Sequence, residues 1–203
     1  MTFILILCFD LLPAQENTVF NGSRHKIGFI TGYGGKNVGQ LINIGDNDNY
    51  YDYKVWLFQL QYYYTAWIKK KFSLELLFQP QYNITKFKND YNLSEETTIG
   101  YEIGINIGLL ARINTYDDFF SFYFFVSSGP QWNPVMPERQ SSGFIFSNNI
   151  FFGMNIRIIK NLYFDIRPGF RHLSNLSLNL PNHGINNLVL SGGVFYVFRP
   201  EKK

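Results

Sequence analysis

Cysteine is almost missing. Cys8 stands alone in 203 residues, so no intramolecular disulfide can form, and no cysteine pair can hold a metal or run dithiol chemistry. Charge is also scarce. Only 16% of the side chains are charged, and the net charge is +3. The cations are scattered apart from Lys69, Lys70 and Lys71, which excludes a surface built to follow a nucleic-acid backbone. No run of 18 apolar residues occurs, so no transmembrane helix is available. There is no linker, internal repeat or sign of a second domain.

Aromatic residues are abundant, at 19% of the chain with 21 Phe and 14 Tyr. Such side chains favour strands over helices, and they are too numerous for a disordered chain. Met1 to Gln15 reads as a signal peptide, with an apolar stretch from Phe3 to Cys8 and a small residue in Pro13-Ala14-Gln15. It lacks a basic start, and Asp10 interrupts the apolar run. The competing readings are a misplaced start or a disordered or strand-forming N-terminal segment. Residues 16–203 are expected to form one domain.

Period-two alternation is the dominant pattern, as expected where a strand separates two environments. Trp56, Phe58, Leu60, Tyr62, Tyr64 and Ala66 alternate with Leu57, Gln59, Gln61, Tyr63 and Thr65. Phe72, Leu74, Leu76, Phe78, Pro80, Tyr82 and Ile84 alternate with Ser73, Glu75, Gln79, Gln81 and Asn83. Ile99 to Ala111 repeats the pattern in odd phase, against Gly100, Glu102, Gly104, Asn106 and Gly108. It continues less cleanly through Phe119–Gly129 and Phe144–Ile158, and returns in Leu162–Ser174 and Leu188–Phe198. Lys26–Gly34 supplies a weaker first strand. Eight such segments, mostly long enough to cross a bilayer at the usual tilt, predict an all-β fold: an eight-stranded antiparallel transmembrane β-barrel.

The two faces decide which side meets lipid. The non-apolar face is Gly, Ser, Asn and Gln with few charges, which suits a narrow lumen filled by side chains. The other face is bulky and aromatic, which suits lipid. A soluble sandwich or lipocalin-like barrel is the competing fold, but its outer face would carry more charge. Long connections (Gly35–Asp52, Thr85–Thr97, Gln131–Ser142, Asn175–Asn187) alternate with short ones (Ile68–Lys71, Asn114–Asp118, Lys160-Asn161). Outer-membrane barrels alternate in this way between external loops and periplasmic turns. Ser191 to Phe198, a spaced glycine followed by aromatics, resembles the C-terminal signal read by the outer-membrane assembly machinery. A bacterial outer-membrane location is therefore expected.

Of the three histidines, His25 precedes the first strand with nothing suggestive nearby, and His183 lies in the last loop. His172 sits in Arg171-His172-Leu173-Ser174-Asn175 at the end of the seventh segment. Residues two apart on a strand share a face, with Cα atoms about 6.5 Å apart. His172 could therefore take the Ser174 hydroxyl proton, as a serine nucleophile requires. Both continue the outward phase of Leu162, Phe164, Ile166, Pro168 and Phe170, so they face lipid at a cost that demands a reason. The plain alternative is two interfacial polar residues where the strand leaves the membrane. Pro168 could shift this register by a bulge.

Phe170 to Asn186, read as Phe-Arg-His-Leu-Ser-Asn-Leu-Ser-Leu-Asn-Leu-Pro-Asn-His-Gly-Ile-Asn, resembles the signature of the lipid A 3-O-deacylase (PagL) family. There a His-x-Ser-Asn segment is followed by Pro-Asn-x-Gly. The matching positions are His172, Ser174, Asn175, Pro181, Asn182 and Gly184. The resemblance implies an eight-stranded barrel with a catalytic triad on its outer surface. It makes Ser174 the nucleophile and His172 the base, with Asn175, Asn182 and Gly184 stabilising the oxyanion or positioning the loop. The family's acidic triad member falls on Asn186, an amide, which is one departure from the pattern. Leu176-Ser177, where relatives often carry a small residue and a glycine, is another.

The expected function is an outer-membrane esterase removing an acyl chain from lipid A or lipopolysaccharide by a serine-histidine mechanism, with no cofactor and no metal. The alternatives are a catalytically silent barrel of the same family, which Asn186 favours, and a small binding barrel or pore, which a filled lumen argues against. The sequence leaves open whether the barrel forms a homodimer.

Overall fold

The computed structural model describes residues 23–35, 52–88, 97–115 and 119–198. The expected signal peptide, Met1–Gln15, lies outside the described residues, as does the tail after Phe198. Eight strands follow one another: β1 (His25–Gly34), β2 (Tyr53–Lys69), β3 (Phe72–Lys88), β4 (Thr97–Asn114), β5 (Phe120–Asn133), β6 (Gly143–Ile159), β7 (Leu162–Ser174) and β8 (Ile185–Val197). Each pairs antiparallel with the next, and β1 pairs with β8, so the sheet closes into a barrel with no free edge.

The alternation sorts as the sequence predicts. Phe58, Leu74, Ile103 and Phe152 are 37 to 62% exposed on the outside, while Gln61, Glu75, Asn106 and Asn155 are at most 1% exposed inside. β7 spans the residues expected of it. Most other strands run further than their clean alternation. β2 extends to Lys69, which leaves Lys70-Lys71 as the whole turn before Phe72, and β3 extends at its other end to Lys88. β2 can extend because a bulge between Thr65 and Trp67 shifts its register. Ala66 and Trp67 then both point outward, which breaks a strict period-two reading. A second bulge falls between Arg157 and Ile159. Pro168 makes none. The β7–β8 pairing runs unbroken through Pro168 opposite Leu190, so the phase of β7 is preserved to Ser174.

The lumen is more heavily charged than its Gly, Ser, Asn and Gln content suggests. Lys26 and Arg112 converge on Glu75, with Nζ–Oε1 2.5 Å and Nε–Oε1 2.8 Å. Arg167 Nε lies 2.9 Å from Asp165 Oδ1, and Arg171 pairs with Glu102. All seven groups are buried. Buried charges persist only when paired and hydrogen-bonded, and each carboxylate here has further donors. Asp165 accepts from Tyr123 at 2.7 Å, and Glu102 from Tyr53 at 2.6 Å and Asn83 at 2.7 Å. Aromatic layers fill the space between, such as Phe125 stacked on Phe151 and Tyr163 on Phe195, both with centroids 5.1 Å apart. A lumen closed in this way is a packed core and not a channel.

Candidate active site

β7 and β8 bring the expected residues together at one end of the barrel, on its outer face. His172 and Asn186 are directly opposed across the two strands. Opposed side chains on one face meet, and His172 Nδ1 lies 2.6 Å from Asn186 Oδ1. Since a carbonyl oxygen can only accept, Nδ1 carries the proton and donates it. In the neutral ring Nε2 then keeps its lone pair, the form a general base requires. The carbonyl of Asn186 thus fixes both the tautomer and the orientation of the ring.

Ser174 ends β7, one strand repeat beyond His172 on the same face. Its hydroxyl donates to Asn182 Oδ1 at 3.3 Å and accepts from the Leu176 backbone N–H at 3.2 Å. It does not hydrogen-bond to His172 in this arrangement. Such contacts commonly form only once substrate is bound.

The connection from β7 to β8 folds back over this end. Asn182 Oδ1 also accepts from the Asn175 backbone N–H at 3.0 Å, and its Nδ2 donates to Ser177 Oγ at 3.3 Å. Asn175 is wholly buried. Its Nδ2 donates to Ser141 Oγ at 2.5 Å and to the Asn179 carbonyl at 2.7 Å, while its Oδ1 accepts from Ser177 N at 3.0 Å. The Asn175 side chain thus spends its hydrogen bonds within the loops. Leu176 and Ser177 hold φ of 55° and 62°, left-handed values that favour glycine. This explains why a glycine suits that stretch.

Gly184 has a steric task. Its φ is +70°, and a Cβ there would fall 2.8 Å from His172 Cε1. The bare backbone therefore lies flat against the imidazole edge. The connection from β5 to β6 holds it there: Arg139 Nε donates to the Gly184 carbonyl at 3.1 Å, and Gly184 N donates to Gln140 Oε1 at 3.2 Å. Gln140 also bridges Asn182. Sequence reading missed Arg139, Gln140 and Ser141, because nothing local marks one loop as the support of another. His183 adds only a backbone bond, its N–H donating to Arg139 O at 3.1 Å.

The model of the family described as lipid A 3-O-deacylase (PagL) matches residues 50–195, well over half of the chain. The chain belongs to the PagL family. The match takes in β2 to β7, nearly all of β8, and every residue of the site. Among solved structures, the crystal structure of an outer membrane enzyme PagL superposes with a TM-score of 0.59 at 14% sequence identity. The superposition covers 81% of this chain and 97% of that one, and at such identity it speaks for the shared barrel. No curated protein sequence matches the chain.

Proposed function

We propose that this PagL-family barrel sits in the bacterial outer membrane and hydrolyses an ester-linked acyl chain of lipid A. The observation that carries the reading is the His172–Asn186 hydrogen bond, held on the lipid-facing surface beside Ser174. A base, its orienting group and a hydroxyl in one outward cluster would be costly interruptions of an apolar wall without a use. The long connections lie at the same end as Ser174, which supports a position of the cluster at the outer leaflet, where lipid A resides.

In this mechanism a turn about the Ser174 Cα–Cβ bond brings the hydroxyl from Asn182 to His172 Nε2. As Oγ attacks the ester carbonyl, Nε2 takes its proton. The carbonyl becomes an oxyanion, for which the Asn182 side-chain amide is a candidate donor once its Nδ2 leaves Ser177 Oγ. Collapse of this intermediate expels the sugar oxygen, which recovers the proton from the imidazolium, and leaves the acyl group on Ser174. Water then repeats the sequence and releases the fatty acid. Asn186 holds the ring but brings no negative charge to stabilise the imidazolium.

Mass spectrometry of lipid A from cells with and without the protein tests the activity. The expected result is loss of one acyl chain that requires Ser174. Unchanged lipid A despite a heat-modifiable, outer-membrane-located barrel would favour the second reading, a catalytically silent family member, which Asn186 in place of a carboxylate supports.

A further inference from the structure

The outer face carries a polar row that the serine-histidine chemistry uses only in part. Ser128 on β5 stands opposite Asn148 on β6, Asn148 opposite His172, and His172 opposite Asn186. Directly opposed residues have Cβ atoms about 4.5–5.5 Å apart, so the row crosses four strands side by side. Half of it, His172 and Asn186, is the base and its support. The other half is a pair of its own, in which Ser128 Oγ donates to Asn148 Oδ1 at 2.7 Å.

Nothing in the barrel needs that pair. Its neighbours along the same face are apolar, Val126 and Pro130 beside Ser128, Phe146 and Ile150 beside Asn148. Strand pairing is carried by the backbone, and a polar pair on a lipid-facing wall costs free energy. Oδ1 is engaged by Ser128, and the two N–H donors of the Asn148 amide have no hydrogen-bond partner among the described residues. They are presented on the partly exposed outer face, one strand from His172.

We propose that Ser128 and Asn148 form a substrate subsite, in which Asn148 Nδ2 donates to a neutral acceptor oxygen of the lipid on the β6 side of the ester that Ser174 attacks. This rests on the esterase reading above. Ser128 and Asn148 carry no charge, which favours a hydroxyl or an amide carbonyl over a phosphate. An acylated amino sugar offers two such oxygens near an ester: a hydroxyl on the departing acyl chain, or the carbonyl of a neighbouring amide-linked chain. Ser128 orients the amide so that its donors, and not its carbonyl, face the ligand.

Binding to the Ser174→Ala protein in detergent tests this without turnover. Three synthetic monosaccharide glycolipids serve as probes: a hydroxyacyl ester with an amide-linked chain, the same lipid without the hydroxyl, and a version without the amide. The loss of one oxygen is expected to weaken binding about five-fold, the worth of one hydrogen bond, and which oxygen it is identifies the source. Adding Asn148→Leu should erase that difference, and Asn148→Gln should restore part of it. Ser128→Ala should shrink it too, which keeps the question decidable if the Asn148→Leu barrel refolds poorly. Equal relative affinities for the three lipids before and after these substitutions would overturn the subsite. Parallel hydrolysis assays on the protein with Ser174 intact separate the two ideas. Discriminating binding without hydrolysis sinks the esterase and keeps the subsite, whereas hydrolysis with Asn148-independent discrimination does the reverse.

Discussion

The two halves of the barrel wall follow the same alternation and differ in what interrupts it. On β2 to β4 the outward residues from Trp56 to Tyr64, Phe72 to Ile84 and Ile99 to Ile113 are apolar or aromatic without exception. On β5 to β8 the outward phase is broken by Ser128, Asn148, His172, Ser174 and Asn186. The plain wall shows what lipid contact alone selects. Against it, each break in the other wall marks a position where lipid solvation was given up for hydrogen bonding. The walls are nonetheless coupled through the lumen. Arg171 lies next to His172 but points inward, and it reaches across to Glu102 on the plain wall, fixing the end of β7 from behind.

Substitutions on the two walls separate their roles. The largest expected effect is Ser174→Ala, which should lower ester hydrolysis by at least about 10³-fold while the barrel keeps its heat-modifiable migration. Undiminished hydrolysis by that protein would remove the mechanism. Next comes the coupling between the walls. Arg171→Met leaves the buried Glu102 carboxylate without its cation, and should cost about 3–5 kcal/mol in reversible unfolding from detergent or lipid. A change under about 1 kcal/mol would show that Tyr53 and Asn83 suffice to hold the carboxylate.

Gly184→Ala should cost less and act on the chemistry. A left-handed backbone penalises a side chain by about 1–2 kcal/mol, and the added Cβ would strike the imidazole. A fall in kcat of about ten-fold or more, with the fold intact, is expected. An unaltered kcat would mean that the ring has room to move.

Asn186→Ala should cost a smaller factor than loss of Ser174 or His172, because the amide only orients the ring. Asn186→Glu should match or exceed the starting activity. If a folded Asn186→Glu protein hydrolyses no faster than Asn186→Ala, position 186 is not the third member of the triad. The smallest effect belongs to the plain wall. Ile105→Ser inserts a polar group on the outward face of β4, away from the site, and should leave hydrolysis rates as they were. A marked loss there would show that both walls touch substrate.

Much of this was legible before any coordinates. Away from the two bulges, the inward and outward sets follow from residue type, because lipid and lumen impose opposite demands on successive residues. The phase of His172, Ser174 and Asn186 could be read in the same way. Ser128 and Asn148 were also open to view as polar breaks in an apolar phase. What one strand at a time cannot reveal is that these two stand opposite each other and in line with His172.

The sequence alone thus determined the strand count, the orientation of the side chains away from the two bulges and the pairing of a histidine with a serine on one face. All of these are set by neighbours two residues apart. The tertiary structure decided everything that depends on register between strands or contact between loops. It set Asn186 against His172 and extended the strands past two bulges. It also laid Gly184 on the imidazole under the hold of Arg139 and Gln140, and paired Glu102 with Arg171 across the lumen. Those contacts join residues far apart in the chain. They are fixed by how the whole sheet closes, and no local pattern of polarity encodes that closure.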